Sequence, residues 1–385
     1  MTNLSEYTYV VIGAGFWGSV IAERIASVFG ERVLVVDKRG HTGGNSHSSV
    51  DAETGIECHT YGTHIFHTRK ERVWDYLGRF TRFNYYRHKV LTEHNGRIFP
   101  MPIGLATINA FYGTSLRPGD AAAFIANEAA KENIAEPANL EEKAISLIGR
   151  PLYEAFIKGY TWKQWQRDPR ELPAAIITRL PVRTNYNPEY FDDAWQGQPE
   201  IGFHGLFDAL LARPEITVRL KTSYNDIRTH LSPDATVFYT GAIDEFFDYS
   251  LGMLNWRSLR FEKETPAVRD FQGAAVINQA DLAVPFTRTH EFRHLHPERA
   301  HADAATVIVR EYPMDFTRGG DAYYPVDTPA DKALLTRYRE LAAATAPNVV
   351  FGGRLGAYRY MDMDVTVDDA LTAFDALHAG RAARG

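Results

Sequence analysis

The chain has 385 residues, 45% hydrophobic and 23% charged, and 42 basic against 48 acidic side chains leave a formal charge of −6. This is ordinary globular composition with room for two or three domains, and its acidic balance gives no electrostatic footprint for nucleic acid or an anionic membrane. The single cysteine, Cys58, excludes an intrachain disulfide and a thiolate cluster for zinc or iron–sulfur. No apolar run approaches the roughly 18 residues of a membrane span, and the start, MTNLSEYT, lacks the basic and apolar stretches of a signal peptide. A cytoplasmic location is the expectation.

Near the start, an apolar run (Val10, Val11, Ile12) enters Gly13-Ala-Gly15-Phe-Trp-Gly18; a helical pattern follows, and a second apolar run at 33–36 ends in Asp37. Strand, glycine turn, helix, strand and terminal acid together make the dinucleotide-binding fingerprint. The glycines allow the backbone to approach a pyrophosphate, the helix start offers unpaired N–H groups, and the acid is placed for ribose hydroxyls. Gly13, Gly15, Phe16, Gly18, Asp37 and Lys38 are therefore candidate cofactor-binding residues. A second glycine pair soon after the acid, followed by Asn45, suits a flavin dinucleotide better than a nicotinamide, an analogy that adds Gly44 and Asn45 to the set.

The next segment carries His64 and His67. Gly62 and the β-prone residues around them predict loop or strand, not a helix, so no metal site is expected there. Residues 86–99 alternate around Asn95-Gly96, the strongest short hairpin signal. From 100 to 158 the chain reads as a helical insertion, with alanine-rich 119–133 and a capping-box start at Asn139. The stretch 159–183 mixes aromatics, Pro173, Pro181, Arg179 and Arg183 without a clean period, which predicts a shaped loop able to move over a substrate.

Beyond it, 206–211 reads as helix and 216–220 and 235–241 as strands, the last ending in a glycine that points back at the cofactor crevice. Strand-like runs at hairpin spacing from 254 to 312 predict an antiparallel sheet. Within it, His294 and His296 would share a strand face; the interleaved Arg288, Arg293 and Arg299 favour an anion-facing strand over a cation site. After a helix at 331–346, an apolar run at 349–351 meets Gly352-Gly353 and a helix at 365–378, mirroring the opening unit. A glycine turn feeding a helix start suits the polar edge of a flavin, where negative charge accumulates on reduction; Gly353, Arg354 and Met363 join the cofactor set. The predicted class is α/β: an FAD-binding Rossmann-like domain (1–85, 200–245, 325–385), an inserted helical domain (100–158) and an antiparallel sheet domain (86–99, 159–199, 246–324).

The segments GAGFWGSVIAERIA, GGN, YGTHIFHT, GYTWKQW, ELPAAIITRLPVR, YTGAIDEFFDY, FTRTHEFRH, YYPV and GGRLGAYRYMDMD resemble those of the bacterial UDP-galactopyranose mutases across about residues 8–377. The resemblance implies an isomerase that interconverts UDP-galactopyranose and UDP-galactofuranose through an adduct between N5 of reduced FAD and the anomeric carbon, without net redox change. By the same resemblance Arg179 and Arg288 clamp the pyrophosphate, and Tyr160 and Trp165 lie on the uridine side. Tyr190, Tyr324 and Tyr360 touch the phosphates. Arg354 and Asp362 stand beside flavin and sugar, and His64 and His67 beside the flavin, with Arg179, Arg288, His67, Arg354 and Asp362 as the catalytic set.

The resemblance further implies a UDP-hexose substrate, an external reductant such as NAD(P)H and a homo-oligomer. Three departures stand out. Thr63 replaces a small apolar residue or proline, His47 an aromatic, and Ala242 a frequent proline. Thr63 leaves open an N-acetylated or deoxy nucleotide hexose as substrate, and a flavin oxidase of the amine-oxidase-like class shares the opening fingerprint.

Overall fold

The runs Tyr9–Ile12 and Val33–Val36 are buried at every position, as strands are when helices cover both faces of a sheet. In the computed structural model, which describes residues 4–177 and 182–383, they lie at the centre of a five-stranded parallel sheet. Its order is Val349–Phe351, Thr236–Tyr239, Tyr9–Ile12, Val33–Val36, Ile216–Arg219. Helix Phe16–Arg24 joins the two central strands and packs on helices Gly202–Leu211 and Met363–Ala382 through a core that includes Val20, Phe203 and Leu371. Gly18 is required at its start: a Cβ there would stand 2.0 Å from the Gly13 carbonyl oxygen.

A second sheet has seven strands in the order Tyr324–Pro325, Trp256–Glu264, Ile308–Asp315, Arg288–Glu291, Val276–Gln279, Val90–His94, Arg97–Met101. Asn95 and Gly96, both at positive φ (50° and 70°), turn the final hairpin as the sequence predicts. The sheet is antiparallel except where Val276–Gln279 runs parallel to Val90–His94, because the hairpin arrives from before the helical segment instead of from a neighbouring turn. Register puts Arg288 opposite Glu311, Glu311 opposite Phe261, and Arg257 opposite Tyr324. Alternation then gathers Arg288, Glu311 and Tyr324 on one face. Helices Leu105–Tyr112, Pro118–Ala130 and Leu140–Leu152 form the helical segment, the last capped by Asn139, whose Oδ1 accepts the Glu142 N–H at 3.0 Å. No helix among the described residues is long and apolar enough to cross a membrane.

Two expectations are corrected. Gly159–Trp165 is helix, continuing from Leu140–Leu152 through a wider turn at Tyr153–Lys158; its packing against the second sheet, which has no signature in the local sequence, supplies the order that a mixed composition hides. His294 and His296 do not share a strand face, because the strand ends at Glu291 and Phe292–Leu295 is a 3₁₀ turn. His294 Nε2 lies 3.2 Å from Asp270, whereas His296 Nδ1 lies 2.8 Å from Glu298. Of the three arginines expected on an anion-facing strand, only Arg288 is in the strand, and Arg299 Nη1 donates to Glu57 at 2.9 Å.

Glu57 joins the halves of this framework. The carboxylate is 2% exposed and accepts from Ser48 Oγ (2.6 Å), the Phe203 N–H at the start of helix Gly202–Leu211 (3.0 Å) and Arg299. Burial alone would raise its pKa; His204 and His296, 3.7 and 3.3 Å away, together with the charge of His59 and the Ser48 hydrogen bond, outweigh burial and hold it below the ordinary carboxylate value of 4.5. A depressed carboxylate pKa gives stability that is present above pH 4.5 and lost on acidification. Glu57→Gln should therefore lower unfolding stability at pH 7 by about 3 kcal/mol and reduce the acid-dependent loss below pH 4.5, read from urea midpoints across pH.

Candidate active site

The carboxyl ends of the parallel strands open into one cleft, the usual ligand crevice of such a sheet. Gly13, Gly15, Phe16, Gly18, Asp37 and Lys38 line it from the opening unit, Gly44, Asn45 and His64 from the next loops, and Gly353, Arg354 and Met363 from the returning unit. The cofactor set named from sequence, with His64, therefore meets in one place, whereas His67, also expected beside the flavin, does not line it. Asp37 ties the turn together: Oδ2 accepts the Ala14 N–H and Oδ1 the Arg39 N–H, each at 2.8 Å. Two helices, Phe16–Arg24 and Met363–Ala382, begin at this cleft without a hydrogen bond from the N-cap side chain, so their first N–H groups, apart from that of Val365, which Asp364 Oδ1 accepts at 2.7 Å, are available to an anionic or electron-rich ligand. This arrangement fits a flavin dinucleotide. Thr222, Ser223, Tyr224 and Asn225 also line the cleft. No motif marks them, and only the adjacency of Ile216–Arg219 to Val33–Val36 brings them there.

Beside the cleft, the second sheet supplies a polar cluster in which Glu311 and His290 are buried and Arg288 is partly exposed. Arg288 donates to the Tyr160 hydroxyl, and its Nε stands 3.5 Å from Glu311 Oε1. His290 Nε2 lies 3.2 Å from Glu311 Oε2, and its Nδ1 lies 2.7 Å from Thr63 Oγ1. Burial opposes charge on both members of the central pair. The Arg288 charge and the His290 hydrogen bond nonetheless bring Glu311 down to about 2, and the field of Glu311 keeps Arg288 well above its ordinary value. Burial raises Tyr160 to about 12 despite Arg288. The Tyr324 and Tyr360 rings lie 6.0 Å apart, and the Arg354 guanidinium stands 5.9 and 5.2 Å from their centroids. Arg354 is fixed by the Met361 carbonyl at 2.5 Å and the Tyr323 carbonyl at 3.3 Å. Because it also lines the dinucleotide cleft, it joins the two sites.

The other expected residues are placed as follows. His64 Nδ1 is 2.7 Å from the Gly62 carbonyl, and its own carbonyl accepts from Gln198. Burial pushes its pKa down to about 4. His67 lies outside the cleft lining, stacked 3.7 Å from Phe191 with Nδ1 2.5 Å from Asp193. Trp165 is half-buried against the helical core, and the Tyr190 N–H donates to the His88 carbonyl. Asp362 is the N-cap of Met363–Ala382 and adds its negative charge beside Tyr324 and Tyr360. Arg179 lies outside the described residues. Sequence reasoning missed Glu311 and His290; the only signal for Glu311 is an acid at the end of the β-rich run TVIVREY.

A family model described as UDP-galactopyranose mutase matches residues 155–360, and one described as an NAD(P)-binding Rossmann-like domain matches residues 11–80. A Klebsiella pneumoniae protein named as a probable UDP-galactopyranose mutase is 41% identical over 372 residues, covering 97% of this chain and 95% of that one. The chain belongs to the UDP-galactopyranose mutase family. An Escherichia coli dTDP-fucopyranose mutase is also similar, 37% identical over 94% of this chain and 96% of its own. The fold is that of the crystal structure of a reduced UDP-galactopyranose mutase, with TM-score 0.73 over 97% of this chain and 94% of that one at 13% identity.

Burial should keep His64 neutral at physiological pH. Its imidazole ¹⁵N shifts should stay constant from pH 8 to pH 5.5 and move only near pH 4, with a His64→Gln sample providing the assignment.

Proposed function

We propose that the protein is a UDP-galactopyranose mutase that interconverts UDP-galactopyranose and UDP-galactofuranose on reduced FAD. The observation that carries this reading is Arg354, which lines the dinucleotide cleft and also stands beside the Tyr324–Tyr360 pair on the Arg288 side. A sugar there would have its diphosphate toward arginine and its anomeric carbon toward the flavin. When bound, reduced FAD supplies the nucleophile for that carbon.

The chain's own residues then hold and steady. The anomeric carbon–oxygen bond to UDP breaks and re-forms, and the ring oxygen changes from O5 to O4 with one hydroxyl proton exchanged between them, so the isomerisation is balanced without an oxidant. UDP must remain in place meanwhile. Arg288, kept charged by Glu311, is suited to grip its diphosphate, with Arg179 as its expected second clamp. Tyr160 and Trp165 belong to the uridine side of this reading, and Tyr190 to the phosphates. Tyr324, Tyr360 and Asp362 flank the phosphates and sugar, and neutral His64 adds no charge beside the flavin. An external reductant such as NAD(P)H keeps the enzyme active, and assembly is homo-oligomeric.

The E. coli relative supports a second reading, a 6-deoxyhexose on a thymidine diphosphate, and Thr63, bonded to His290, is the departure from family pattern nearest the site. Purified protein given UDP-galactofuranose with dithionite should yield the pyranose isomer by chromatography, and without reductant should not. Turnover of dTDP-fucofuranose alone would transfer the assignment to the second reading; stoichiometric oxidation of an amine would remove both. Arg288→Ala should lower kcat/KM by about 10²-fold, the worth of one charge-assisted contact of roughly 3 kcal/mol. Gly18→Ala should purify with little flavin absorbance, since its methyl group meets the Gly13 carbonyl oxygen at 2.0 Å.

A further inference from the structure

Lys163 has no place in the site described above, yet it is only 5% exposed. Its ammonium donates to four main-chain carbonyls, those of Gln279 (2.8 Å), Asp281 (2.9 Å), Phe286 (3.0 Å) and Val284 (3.1 Å). All four belong to the end of strand Val276–Gln279 and the connection that leads into strand Arg288–Glu291. An ammonium has three protons, so four acceptors share them, and the connection is wrapped around the charge as a nest. One helical turn earlier, on the same helix face, Gly159 meets the same connection: a Cβ there would stand 2.2 Å from the Ala280 carbonyl oxygen. The helix Gly159–Trp165 is thus keyed into one loop at two points.

What the two keyed elements carry gives the contact its meaning. Tyr160 follows Gly159, and Phe286, whose carbonyl Lys163 holds, is two residues before Arg288. Arg288 donates to the Tyr160 hydroxyl across this junction. We propose that Lys163 is a positioning residue whose ammonium locks the 279–287 connection onto the Tyr160 helix and so sets the Tyr160–Arg288 geometry that grips a nucleotide diphosphate. This rests on the nucleotide-sugar reading of that pair.

The lock is sensitive to pH. Burial pushes Lys163 down to about 8, against the opposing charge of Asp281. A lysine pKa lowered in the folded chain means that the charged form, and with it the grip on the carbonyls, is present below pH 8 and lost above it. The charged groups around it are Asp281, bonded to His94 Nδ1 (2.6 Å) and the Asn95 N–H (2.9 Å), and Glu93, which accepts from Gln279 Nε2 (3.0 Å). On the site side, Tyr160 at about 12, Glu311 at about 2 and Arg288 well above its ordinary value keep their charge states between pH 7 and 9.5.

The experiment compares wild type, Lys163→Met and Gly159→Ala in the holoenzyme. Wild-type KM for UDP-galactopyranose should rise about tenfold from pH 7 to 9.5, the scale of one charge-assisted hydrogen bond, with kcat changing less. Lys163→Met should show the raised KM already at pH 7, a flat profile and an unchanged flavin content; Gly159→Ala should raise KM while keeping the pH dependence. A flat wild-type profile, or wild-type KM in Lys163→Met, overturns the proposal, and the wild-type profile decides even if the variant does not fold. Amide hydrogen exchange of 279–290 in nucleotide-free protein forms a separate arm. At pH 7 it should be quicker in Lys163→Met than in wild type, and equal protection factors overturn the lock. If wild type turns over no nucleotide sugar at pH 7, the functional reading fails, while the exchange arm still decides the lock.

Discussion

A guanidinium that is to hold a diphosphate away from water must itself be held in a low-dielectric place, and there it needs a permanent counter-charge. In the proposed reading Glu311 supplies it to Arg288. Both side chains project from neighbouring strands at opposed register positions, so the pair is set by the sheet ladder and not by a loop. His290 and Thr63 then continue the hydrogen-bonded row toward the 59–68 segment that carries His64. Much of the second sheet can be understood as the means of keeping this ion pair aligned and adjacent to the cleft.

The parallel sheet answers a different requirement. A dinucleotide needs backbone N–H groups and room, which glycines and helix starts provide, whereas the diphosphate of a nucleotide sugar needs charge. In the proposed reading the molecule separates these tasks between two sheets and joins them through Arg354, whose guanidinium is fixed by two main-chain carbonyls. Tyr324 and Tyr360 extend the join as a wall between the cofactor side and the Arg288 side.

What was legible in the sequence was what local chemistry determines. The Gly13–Gly18 turn, the Asn95-Gly96 hairpin, the Asn139 cap and the alternation of the β-rich runs each depend on a few adjacent residues, and the cofactor cleft is lined by the residues that the opening and returning motifs named. Other features come from long-range pairing. The Gly159–Trp165 helix is ordered by a loop more than a hundred residues later, Thr222–Asn225 reach the cleft only through strand order, and Glu311 is a site residue only because its strand lies beside Arg288. His294 and His296 were misplaced because an alternating pattern does not announce the residue at which a strand stops.

The position of Tyr9–Ile12 has a consequence for how the protein comes into being. It leaves the ribosome first among the strands, yet it sits mid-sheet, with Val33–Val36 on one side and Thr236–Tyr239 on the other. The hairpin Val90–Met101 waits in the same way for Val276–Gln279. At about 5–20 residues per second the nascent chain carries unpaired, apolar strand edges for on the order of ten seconds or longer. Neither sheet can close before most of the chain has been made.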